Sequence, residues 1–114
     1  MPGGSRTGYQ YELPHEGSEM VGWRVMVTYP TGRQNERQWH DGFIIRYEEA
    51  HLACGADCSY YVAFIRTDSG EERLKGWELP NHGVCFRKPH LPNSRVSEVE
   101  VQRACARREA DPDV

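Results

Sequence analysis

The stretch GWRVMVTYP, residues 22–30, decides the fold. Trp23, Val25, Val27 and Tyr29 alternate with Arg24, Met26 and Thr28, and a period of two marks a strand with one buried face. Pro30, Thr31 and Gly32 end it with turn chemistry. Next comes WHDGFIIRYE, residues 39–48, whose Phe43, Ile44, Ile45 and Tyr47 form a β-branched and aromatic run. Gly42 inside that run predicts a bulge or sharp bend. In SYYVAFIRTDSGEERLKGWELP, residues 59–80, two further strands flank Asp68-Ser69-Gly70, a tight hairpin turn in which glycine supplies a positive φ. ELPN reads as one helical turn, and GVCFRK as a last strand.

The predicted strands therefore lie near 22–29, 38–47, 59–67, 71–77 and 83–87. They describe a mainly β domain: a five-stranded, strongly bent antiparallel SH3-like barrel with a short 3-10 turn. Val25, Val27, Ile44, Val62, Phe64 and Leu74 are its core candidates. Residues 1–20, rich in Gly, Pro, Ser and Glu, read as a flexible or loosely packed leader, although the alternation of Tyr9, Tyr11 and Leu13 suits a short edge strand. Beyond the domain at 21–90, Ser97 with Glu100 three residues later makes a capping box. That predicts a C-terminal helix ending before Pro112, in a 91–114 extension with a disordered end; Val96, Val99 and Val101 suit a strand equally.

Composition narrows the function classes. Residues 21–90 carry nine basic and nine acidic side chains, and a neutral core is not the profile of a general polyanion binder, which needs a basic surplus or a segregated patch. No apolar run of about 18 residues is present, so no membrane-spanning helix is expected. The first residues lack a charged start followed by an apolar stretch, which predicts an intracellular chain with free thiols. His51, Cys54 and Cys58, with Cys85, raise zinc, but a C-x3-C with a histidine three residues before it is unusual spacing, so a loop with incidental thiols is the favoured reading and no metal or other cofactor is expected. There is no G-x-S-x-G, phosphate loop, H-E-x-x-H or dinucleotide fingerprint, so the expectation is a protein without enzymatic activity.

VGWRVMVTY, RQWHDGFIIRYE, VAFIRTDSGEERL and WELP resemble the successive strands of a Tudor-type domain, over roughly residues 21–88. The resemblance implies a nuclear, chromatin-associated reader. Its ligand would be a peptide bearing methylated lysine or arginine, often from a histone, held in an aromatic cage by cation–π contact. Carried onto this chain, the cage falls on Tyr29, on Trp39 and His40, and on the region from Phe64 to Asp68. Asp68 or Asp41 would supply the countercharge. The chain departs from the pattern: His40 stands where an aromatic residue is usual, and Ile65 and Thr67 stand near the positions of a second aromatic and an acid. The cage is then incomplete, or built instead from Tyr47, Tyr60 or Tyr61. Trp23 and Trp77 read as packing residues. The alternatives are a nucleic-acid-binding barrel using Arg87, Lys88 and Arg103, and a protein-binding scaffold with no working cage.

Overall fold

The computed structural model describes residues 8–15, 17–30, 36–53, 59–68, 70–79 and 83–110. They form six strands and one α-helix: β1 (Tyr9–Gln10), β2 (Arg24–Pro30), β3 (Arg37–His51), β4 (Ser59–Thr67), β5 (Gly70–Lys75), β6 (Val84–Arg87) and α1 (Glu98–Ala110). Two 3-10 helices, Gly17–Met20 and Gly76–Glu78, precede β2 and follow β5. All strands join one antiparallel sheet in the order β1-β6-β2-β3-β4-β5.

The sheet has six strands where the sequence reading expects five, and it is not a closed barrel. A strand has two hydrogen-bonding edges, and β6 uses one on β2 and the other on Tyr9 and Gln10 of β1, so β1 and β5 remain the two ends of the sheet. The alternation of Tyr9, Tyr11 and Leu13 is realised as this short edge strand. β3 is long because it serves two partners: residues 37–43 pair with β2, and residues 42–51 pair with β4. A register shift between Ile44 and Arg46 bends it. The bulge therefore falls after Gly42, whose role is close approach. A Cβ there would lie 2.6 Å from the Arg66 carbonyl oxygen. The hairpin turn is as read, with Thr67 paired to Gly70, whose φ is +138°.

The two faces of the sheet bury different residues. On one, Val25, Val27, Ile44, Ala63, Ile65, Leu74, Val84 and Phe86 gather with Trp23, Leu79 and Met20. Burial on this scale stabilises by about 1.5–3 kcal/mol for each large side chain. Met20 belongs to the segment read as a loose leader, yet it is 0% exposed. The first 3-10 helix folds under the sheet, and the Trp23 indole donates to the Glu19 carbonyl at 2.9 Å. On the other face α1 covers Ile45 and Phe64 with Ala104, and Phe43, Val62 and Cys105 pack around them. Ser97 caps this helix as its sequence indicates, accepting from the Glu100 amide at 3.2 Å. Of the core candidates, Val62 is the one left half-buried.

Candidate functional site

Of the residues assigned to a ligand site by sequence, Trp39, His40 and Phe64 do not gather in one recess, whereas Tyr47 and the alternatives Tyr60 and Tyr61 do. Trp39 pairs with Thr28 and His40 with Val27, and the two side chains leave opposite faces of β3. The Trp39 ring, 40% exposed, instead meets Tyr11 with centroids 6.5 Å apart. His40 turns the other way, and its Nδ1 lies 2.7 Å from Oδ1 of Asp68. Asp68, expected as a countercharge for a ligand, is thus engaged by a side chain of its own sheet. Asp41 is exposed. The backbone of Tyr29 pairs with Gln38, and its side chain lies outside the described residues. Phe64 is 3% exposed, with the guanidinium carbons of Arg46 and Arg73 at 5.9 and 5.7 Å from its centroid, so it presents no open face.

Near the Trp39 end, burial and local contacts push several groups up. The Tyr11 phenol is held above its ordinary value by a hydrogen bond with the Cys85 thiol and then by burial. Tyr9 is raised by burial and by the charge of Asp41, and Cys85 by burial. These groups stay protonated at neutral pH and offer no nucleophile.

The aromatic side chains that do converge lie at the other end of the sheet. Tyr47 comes from the far half of β3, Tyr60 and Tyr61 open β4, and Trp77 stands in the second 3-10 helix. Tyr47 and Tyr61 meet edge to face at 5.9 Å and 78°, and Tyr60 and Trp77 at 5.0 Å and 64°. Together with Leu13, Gly17, Ser59 and Gly76 they line a recess of about 340 Å³. Tyr61 is 43% and Trp77 54% exposed, so two rings keep accessible faces while Tyr47 is braced against the core. Trp77 already attracts a cation, since the Lys75 ammonium lies 5.6 Å from its centroid.

The sequence reading takes Trp77 as a packing residue, although its ring stands at this recess. The signal for Tyr61 lies in β4 itself. Tyr61, Ala63 and Ile65 share one face, and only the last two are buried, so the first continues the core face past the end of the core.

The remaining candidates are dispersed. Arg87 lies 5.6 Å from the Tyr9 ring and donates to the Pro92 carbonyl at 3.3 Å. Lys88 follows β6 and is half-buried, while Arg103 is exposed on α1. His51 ends β3, exposed, and Cys85 is buried in β6; Cys54 and Cys58 lie outside the described residues. Among the described residues no three His, Cys, Asp or Glu side chains are grouped to hold a metal ion, and no helix is long and apolar enough to cross a membrane. Compared with models of protein families, with curated proteins and with solved structures, the chain matches none.

Proposed function

We propose that this chain is a non-enzymatic binding module of Tudor-like, SH3-like type, whose aromatic recess takes the methylated lysine or arginine side chain of a peptide, such as a histone tail. The strand order β6-β2-β3-β4-β5, with a 3-10 turn between β5 and β6 in the chain, supports the barrel-like reading. The observation that carries the function is the set of four rings, Tyr47, Tyr60, Tyr61 and Trp77, around one half-open recess. A methylated ammonium is cheaper to desolvate than a bare one, and it gains about 0.5–2 kcal/mol from each well-placed ring. Two or three rings therefore give binding on the order of micromolar to millimolar. The cage is shifted from the Tyr29 and Trp39 end to the opposite end of the sheet, and a histone-directed partner carries a nuclear location with it.

The test is a panel of unmodified and methylated peptides titrated at constant ionic strength. Methylated forms should bind preferentially, Trp77→Ala and Tyr61→Ala should weaken binding by roughly tenfold, and Trp39→Ala should leave it unchanged. No preference for methylation, or loss of binding in Trp39→Ala with retention in Trp77→Ala, refutes this assignment.

A further inference from the structure

We propose that the cleft between α1 and the outer face of the sheet, separate from the aromatic recess, binds the phosphate monoester of a small hydroxylated molecule. Arg24 of β2, Phe43 of β3 and Arg66 of β4 stand in one cross-strand row. Directly opposed residues share a face, so the two arginines flank the Phe43 ring from strands about 10 Å apart, within reach of a common ligand. Over this face passes α1, anchored by Ala104 and by the Cys105 thiol, which donates to the Ile45 carbonyl at 3.5 Å. It contributes Glu100 and Arg107 to a cleft of about 290 Å³, which also contains Asp41 and Asp68.

Two buried donors in this wall have no partner. Nε of Arg24 and Nε of Arg66 are both buried without a hydrogen-bond acceptor. Other arginines find protein partners: Arg95 donates to the Val21 carbonyl, Arg87 to that of Pro92, and Arg46 pairs with Glu48. Buried polar groups are nearly always satisfied, so two orphan guanidinium donors in one cleft call for an acceptor from outside the chain. A guanidinium offers Nε–H and a terminal N–H as a planar fork that matches two oxygens of a phosphate.

The remaining walls narrow the ligand. Asp41, Glu100 and Asp68, the last also beside His40, oppose a chain of phosphates, but each accepts hydrogen bonds from hydroxyl groups. Phe43 gives an apolar floor. One phosphate on the arginines, with hydroxyls toward the carboxylates, uses all of these groups, and the chemistry is that of a sugar or polyol phosphate.

The experiment titrates the full chain at constant ionic strength with ribose 5-phosphate, inorganic phosphate and ribose, followed by calorimetry. Ribose 5-phosphate should bind with a Kd of about a millimolar or tighter, inorganic phosphate more weakly and ribose not at all. Arg24→Gln and Arg66→Gln should each weaken the ester by about tenfold or more. Because both stand in strands, their melts are recorded first; Arg107→Gln, on the exposed side of α1, supplies a variant outside the sheet and should weaken it severalfold. Absence of binding at about 10 mM ester, equal affinity for inorganic phosphate, or unchanged affinity in the folded variants would overturn the proposal.

Discussion

Replacing Met20 by alanine measures whether the segment before β2 belongs to the folded core. Met20 ends the first 3-10 helix, is 0% exposed, and packs in the cluster that holds Trp23, Val25 and Leu79. Its backbone carbonyl also accepts from the Trp23 amide at 3.0 Å. Truncation removes three heavy atoms from this site, and Met→Ala changes in cores cost about 2–5 kcal/mol. The short helix lies near one end of the fold and can relax inward, which favours the lower part of that range, about 2–3 kcal/mol. For a domain of this size each kcal/mol moves the Tm by about 4–8 °C, so the expected drop is roughly 10–20 °C. Met26 is the control. It stands half-buried on the opposite face of β2, and Met26→Ala should cost less than about 1 kcal/mol. Thermal melts followed by circular dichroism decide the matter. If Met20→Ala melts within a few degrees of the parent, or no lower than Met26→Ala, the 3-10 helix is not part of the core.

Gly42→Ala should lower stability by about 1–3 kcal/mol, because the added methyl would press on backbone, at 2.6 Å from the Arg66 carbonyl oxygen, and on Cγ2 of Thr67 at 2.7 Å; an unchanged urea midpoint would show that β3 and β4 can separate there without cost. Alkaline stability follows from Cys85, Tyr9 and Tyr11, all raised in the folded state above their ordinary values of 9.0 for the thiol and 10.0 for the phenols. The unfolded chain releases these protons first, so their contribution is intact below pH 9 and is lost as pH rises through the raised values. Urea midpoints measured from pH 7 to about 11 should fall above pH 9, less steeply in Cys85→Ala; parallel profiles for parent and variant would refute the assignment to Cys85.

The strands were legible because alternation is a direct image of a half-buried sheet. Val25, Val27, Ile44 and Leu74 are buried as their pattern implies. Met20 was not legible: a single methionine among Gly17, Ser18 and Glu19 has no periodicity, and only tertiary contact makes it core. Openness of the sheet was hidden for a related reason. The choice between closing on β5 and pairing with β1 is made at the edge of β6, by backbone groups every sequence carries. For the site, the sequence offers two places. Trp39 and His40 leave opposite faces of β3 and meet different partners, Tyr11 and Asp68. Tyr61 follows the core face of Ala63 and Ile65, whereas Tyr47, three residues from Ile44, reaches that face only through the bulge between Ile44 and Arg46. Trp77 depends on the path of a 3-10 turn, which periodicity cannot trace.

Ring chemistry explains why the aromatics separate as they do. The chain has three phenylalanines, and none is exposed: Phe86 lies in the main core, Phe64 under α1, and Phe43 beside it. A phenyl ring has no polar atom to keep in water, so each exposed edge is lost burial. Tyrosine and tryptophan carry a polar handle and can stand at a boundary. The buried tryptophan, Trp23, has its indole donor matched by the Glu19 carbonyl. At the recess the rings are Tyr47, Tyr60, Tyr61 and Trp77, with no phenylalanine among them. Their hydroxyl and N–H groups can face water while the ring faces turn toward one another. Such a rim leaves π-surface open without exposing an apolar patch as large as four phenyl rings would make. For a weakly bound methylated cation this arrangement is suitable, because the ring faces supply the attraction and little has to be reordered when the ligand enters.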